Sequence, residues 1–180
     1  MAKFEIFSDP ICPWCFIGKI WFDRARNAYP NLELEVIWRP FQLNPQMPAA
    51  GMMRRDYLSR KFGSLQKAIK AYEPIMAAIQ KYNIKIDFNS ITRTPNTLNA
   101  HRLIYWSRFE GIQSKLVNSL FKAYFQQGKD IGNKDILIEI GSTSGLDTTL
   151  ISQLLSSKHD IELIANLDLQ ARNKGIKGAP

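Results

Sequence analysis

A chain of 180 residues has room for one domain, or for a core domain carrying a large insertion. Hydrophobic residues at 45% and aromatics at 11% supply a packed core, so no disulfide scaffold is required. The 24 Lys and Arg exceed the 16 Asp and Glu by +8, which favours solubility and mild attraction to acidic surfaces, but no nucleic-acid motif accompanies the charge and no nucleic-acid partner is expected.

Residues 1–20 do not read as a signal peptide, because Glu5 and Asp9 interrupt the start and Pro10 and Pro13 fall in the apolar stretch. Nowhere do 18 apolar residues run together, so no membrane span is expected. The expected location is the cytoplasm, where thiols stay reduced.

"KFEIF" (3–7) places Phe4 and Ile6 on one face, the alternation of a short strand. Asp9-Pro10 breaks it, and Pro13 suits the first turn of a helix, where its missing N–H does no harm. Apolar residues at 14, 17, 21, 25 and 28 then recur at helical spacing until "YPN" (29–31). In "LELEVIW" (32–38), Leu32, Leu34, Val36 and Trp38 share a face opposite Glu33 and Glu35, as on an edge strand. This strand–helix–strand unit predicts parallel strands joined by a right-handed crossover.

"RPFQLNPQMP" (39–48) reads as loop. From 54 to 174 the pattern is almost entirely helical, with segments near 54–62, 64–82, 96–110, 114–127, 133–144, 147–156 and 159–174. Pro74 should kink or split the second of these, and Asn96, Asn133 and Asp147 are candidate N-caps. The basic residues Arg54, Arg55, Arg60, Lys61, Lys67 and Lys70 alternate with apolar ones, as on a solvated helix face. The aromatic set Tyr105, Trp106, Phe109, Phe121, Tyr124 and Phe125 has the spacing of helical core. The organisation is an N-terminal α/β unit (1–48), a helical insertion (49–174) and a short return (175–180).

The two cysteines, Cys12 and Cys15, stand at the first strand-to-helix junction. A structural zinc site needs four ligands, and His101 and His159 lie too far apart for a finger, so no metal is expected. Two small buried core residues are a second reading. The third is redox: residues i and i+3 share a helix face, and Cys12 at the helix N-terminus would meet free N–H groups and the helix dipole. That placement predicts a lowered Cys12 pKa, a thiolate nucleophile, and a less exposed Cys15 one turn inside. A CxxC that opens a helix directly after a strand favours the redox reading.

"SDPICPWCFIGK", "WRPFQLNP", "RTPNTLNAHRL", "LFKAYFQQGKDIG" and "GIKGAP", in that order, resemble the FrnE-type branch of the DsbA-like thioredoxin-fold oxidoreductases. The resemblance implies an α/β thioredoxin-like fold interrupted by a large all-helical insertion, with disulfide exchange at a redox-active CXXC centre. It implies a nucleophile at Cys12, a resolving thiol at Cys15, and Pro13 and Trp14 beside the substrate. A cis-proline is implied at Pro180, with Ala179 offering backbone hydrogen bonds to an extended substrate. Asn44 and His101 fall in matching motifs as candidate cleft residues, although a turn start for Asn44 and a helix-core role for His101 are the favoured readings.

The expected partners are thiol or disulfide substrates, with no cofactor beyond the dithiol. The related 2-hydroxychromene-2-carboxylate isomerase and kappa-class branch would instead use glutathione, but it typically carries serine at the position of Cys12. A non-enzymatic binding module is the third class. In the thioredoxin fold two further strands and a helix follow the cis-proline loop. The expectation is therefore that 180 residues form a truncated version of a chain about 25–40 residues longer, poorly stable alone, or completed by a partner.

Overall fold

The computed structural model describes residues 2–179. Strand β1 (Ala2–Ser8) and helix α1 (Pro13–Ala28) lead into β2 (Leu34–Pro40), which pairs parallel with β1 from Ala2↔Leu34 to Ser8↔Pro40. The alternation in β1 turns Phe4 toward α1, where its ring lies 6.0 Å from that of Phe22. Glu5 of β1 and Arg39 of β2 pair at 2.5 Å.

β2 begins two residues later than the alternation predicts. Leu32 is spent in a turn, its N–H donating to the Tyr29 carbonyl at 3.0 Å, and its side chain is exposed. At the far end Ile37 and Trp38 are both buried, because helices cover both faces there. The free edge of β2 is met by a side chain: the Trp38 N–H donates to Gln113 Oε1 at 2.8 Å, and Gln113 Nε2 donates to the Trp38 carbonyl at 3.1 Å.

Helices α2 (Arg54–Phe62), α3 (Leu65–Tyr82), α4 (Leu98–Trp106), α5 (Gln113–Gln127), α6 (Lys134–Ser144), α7 (Thr148–Ser156) and α8 (Ile161–Asn173) follow. α3 is not split at Pro74 but stays one helix. Pro74 and Lys70, whose carbonyl loses its partner, are both exposed, so water satisfies the freed group. Asn133 and Asp147 cap α6 and α7 as expected, whereas the N-cap of α4 is Thr97, and Asn96 serves from one position earlier by accepting the Leu98 N–H at 2.9 Å. A two-residue antiparallel ladder, β3 (Met52–Met53) with β4 (Arg93–Thr94), lies inside the stretch read as loop and helix.

The largest apolar cluster runs without a break from Ile11, Cys12, Cys15 and Phe16 to α4, α5 and α6. Phe16 stacks on Phe121 and Phe125, at centroid distances of 5.2 and 5.4 Å. Of the aromatic set read as core, Phe109 departs, being 72% exposed. The basic face is solvated except at Arg54, whose guanidinium lies over Tyr72 and Phe88.

Candidate active site

Cys12 is the N-cap of α1 (φ −84°, ψ 114°), and Pro13 follows as the first helical residue. Its sulfur accepts the Cys15 N–H at 3.3 Å, and its thiol donates to the Ala179 carbonyl at 3.4 Å. Both thiols are free. Trp14 is 38% exposed and Pro13 half-buried beside them.

Two expectations fail here. Cys12 is not the more exposed thiol: the cysteines are 3% and 4% exposed, with the Ala179 carbonyl lying against Cys12. Nor is Cys12 the more acidic in this closed geometry. Its thiol is hydrogen-bonded to Cys15 and buried, and both push it far up; the Cys15 N–H pulls the other way. Cys15 moves down despite its burial, because the nearby Cys12 thiol, Asp9 backbone and Ser8 hydroxyl favour its charged form. The Cys15 N–H at the helix N-terminus pulls Cys12 toward its charged form as predicted, and the two buried sulfurs titrate as a pair.

His101 does not line an open cleft. It is 2% exposed on the inner face of α4, with Nε2 3.9 Å from Asp9 Oδ1 and without a hydrogen-bond partner among the described residues. Asn44 lies in a turn, its carbonyl accepting the Met47 N–H, and its amide pairs with the Tyr57 hydroxyl at 3.1 Å rather than with either sulfur. Pro180 lies outside the described residues.

Asp9, which ends the first strand, also ties the site together. It is fully buried: Oδ2 accepts the Leu43 N–H at 2.7 Å and the Thr97 hydroxyl at 3.4 Å, and Oδ1 accepts the Ile11 N–H at 3.3 Å. Burial pushes its carboxyl up to about 7, and burial takes His101 down to about 4. From the other side Asp168 of α8 accepts the Gln42 N–H at 2.7 Å, and Arg172 balances that carboxylate. A hollow of about 390 Å³ runs along β1 and reaches Cys15, between Phe4, Ile6, Phe22 and Ile176. Among the described residues no cluster of three or more His, Cys, Asp or Glu side chains gathers as metal ligands, and no helix is long and apolar enough to cross a membrane.

A dithiol capping a helix after the first strand of a β–α–β unit, with helices inserted behind it, agrees with the family comparison. The model of the DSBA-like thioredoxin domain matches residues 3–180. The chain belongs to that family. The Bacillus subtilis protein YwbO is 25% identical over 158 residues, covering 86% of this chain and 72% of that one. A probable DsbA oxidoreductase from Streptomyces coelicolor superposes with a TM-score of 0.85 at 24% identity, over 100% of this chain and 79% of that one. A 2-hydroxychromene-2-carboxylate isomerase gives 0.74 at 14% identity, over 99% and 83%. The cytosolic disulfide reductase DsbM of Pseudomonas aeruginosa, solved with GSH, gives 0.67 at 14%, over 99% and 84%. These likenesses show the fold. As a DSBA-like chain it takes the thioredoxin-like architecture that the resemblance implies.

Proposed function

We propose that the chain is a thiol–disulfide oxidoreductase working through Cys12 and Cys15. The observation that carries this reading is the Cys15 N–H on Cys12 Sγ, which holds two free thiols within one helical turn at a helix N-terminus. A substrate sulfur reaches Cys12 by displacing the Ala179 carbonyl from its thiol, beside the exposed Trp14 and Pro13. Cys12 thiolate attacks one sulfur of a substrate disulfide, and the other sulfur leaves as a thiolate. Cys15 then attacks Cys12 Sγ, forming the internal disulfide and releasing the second thiolate. The substrate gains two electrons and the dithiol loses them; the reverse sequence oxidises a substrate. Direction follows from the reduction potential against a compartment that, on this reading, is reducing. The substrate is a protein or small-molecule thiol or disulfide, and no organic cofactor or metal takes part.

A glutathione-dependent isomerase or transferase needs no second thiol, so the paired cysteines favour exchange. The discriminating experiment follows a model protein disulfide with and without glutathione, together with two variants. Cys15→Ser is expected to accumulate mixed disulfides at Cys12, seen by peptide mass, while Cys12→Ser accumulates none. Equal trapping by both variants, or isomerase turnover that leaves the thiols unchanged, would overturn the assignment.

A further inference from the structure

A groove of about 490 Å³ opens on the helical part, between α2, α3 and the 86–89 segment, and neither cysteine lines it. Its walls are largely apolar, with Leu58 from α2, Leu65, Ile69 and Met76 from α3, and Phe88 from the segment beyond. Leu65, Ile69, Tyr72 and Met76 recur at helical spacing and so form one stripe along α3. Ile69 and Met76 stand 67% and 52% exposed on it. Arg54 is the cation in this wall. Its guanidinium carbon lies 5.5 Å from the centre of the Tyr72 ring and 5.3 Å from that of Phe88, and Nη2 donates to the Tyr72 hydroxyl at 3.2 Å. These contacts fix the guanidinium and strip part of its water. Among the described residues no ion pair includes Arg54. The carboxylate in the wall, Asp87, is engaged elsewhere, its Oδ1 accepting the Asn89 and Ser90 N–H groups at 3.0 and 3.3 Å. Around Arg54, residues 54–70 add Arg55, Arg60, Lys61, Lys67 and Lys70 against Asp56 alone, so the field over the groove is positive.

We propose that this groove is a binding site for a small amphipathic anion, an apolar body carrying one acid group. The acid group pairs with the Arg54 guanidinium in a charge-assisted contact, and the apolar body lies along the α3 stripe against Leu58 and Phe88. A neutral ligand would cover Arg54 and leave its charge unpaired in an apolar setting, which is costly, so the acid group is the feature that selects the ligand. Size favours a small molecule over a docked chain. Ligand sites run to about 300–1,000 Å³. A stable protein interface buries about 1,000 Å² or more, whereas the stripe from Leu65 to Met76 is only about 16 Å long. The groove shares no residue with the dithiol pair, so binding there does not depend on the thiol chemistry.

The test uses two fluorescent probes that differ by one acid group, 8-anilinonaphthalene-1-sulfonate and the neutral N-phenyl-1-naphthylamine, titrated into the chain at low salt. One sulfonate is expected to bind per chain, about tenfold or more tighter than the neutral probe. Arg54→Met keeps much of the bulk over the two rings but not the charge. It should weaken the sulfonate by about tenfold or more while the neutral probe stays within about threefold. Ile69→Asp, at an exposed position, should weaken both probes by about tenfold or more while the helical circular dichroism stays unchanged. Four results overturn the site: equal affinity for the two probes, binding at several equivalent positions, a sulfonate affinity that survives Arg54→Met, or probe binding that survives Ile69→Asp. If Arg54→Met does not fold, the wild-type comparison and Ile69→Asp decide. A wild type that sediments as a dimer and becomes a monomer on Ile69→Asp would mean that a second copy fills the groove, and overturns the site as well.

Discussion

Asp9 and His101 are a buried acid and a buried base whose effects on stability have opposite sign. Folded Asp9 keeps its proton up to about pH 7, whereas the unfolded carboxyl has lost it near pH 4. The folded state binds more protons in that window, so this group makes stability fall as pH rises from about 4 to about 7. Folded His101 stays neutral down to about 4, while the unfolded imidazole charges below about 6.5. The unfolded state then binds more protons, so this group makes stability rise with pH from about 4 to about 6.5. In the wild type the two slopes oppose each other and nearly cancel. Removing either partner exposes the other: Asp9→Asn is expected to gain stability from pH 4 to 6.5, and His101→Gln to lose it from pH 4 to 7. Each change is on the order of 2–4 kcal/mol. Urea midpoints taken across the range check this, and parallel profiles for the two variants would contradict it. The sequence placed both cysteines correctly because strand, proline and helix spacing converge on them. It could not show Asp9 as the tie of the site, since its partners Leu43 and Thr97 stand 34 and 88 positions away and no periodicity spans such distances.

At the scale of elements, local chemistry was legible and long-range pairing was not. The β–α–β opening, the caps at Asn133 and Asp147, and most helix bounds follow from alternation, 3.6-residue spacing and cap residues. Pro74 does not split α3, because the Lys70 carbonyl it frees lies at the exposed surface, where water satisfies it. The β3–β4 ladder is too short to leave a pattern. Gln113 gives no signal at all, yet its amide takes the place of a neighbouring strand. It is 6% exposed, pairs with both backbone groups of Trp38, and also donates to the Ile104 carbonyl at 3.1 Å. Gln113→Ala would leave both backbone groups of Trp38 unsatisfied, each costing about 1–3 kcal/mol before water relieves part of it, while the Ile104 carbonyl keeps the Ser107 hydroxyl. The expected loss is about 2–4 kcal/mol in chemical denaturation. Gln113→Glu keeps an acceptor for the Trp38 N–H but sets a buried carboxylate against two carbonyls, so near neutral pH it should be at least as destabilised as alanine; a glutamate as stable as wild type would mean the amide donors carry nothing.

At the scale of the molecule, the dithiol sits where the β–α–β unit meets the helices. Residues 8–15 supply the thiols and Ser8, the 42–43 loop is held between Asp9 and Asp168, and α4 contributes Thr97 and His101. Helix α1 buries Cys15 and Phe16 in one apolar cluster with α4, α5 and α6, so the reactive site and the packing are continuous. Phe16 is the centre of that continuity, 2% exposed and stacked between two rings of α5. Phe16→Ala removes a buried ring and leaves a cavity between the two parts, an expected cost of about 3–5 kcal/mol. If the shared cluster makes one cooperative unit, near-UV circular dichroism, which follows the aromatic stack, and far-UV signal, which follows the helices, should melt together in wild type and variant alike. The variant should also lose the spacing of the two thiols, because α1 is no longer seated, and so form its internal disulfide more slowly. Helices that persist after the aromatic signal has gone, or a Phe16→Ala chain within about 1 kcal/mol of wild type, would mean that the helical part folds by itself and that Phe16 only fills space between two independent bodies.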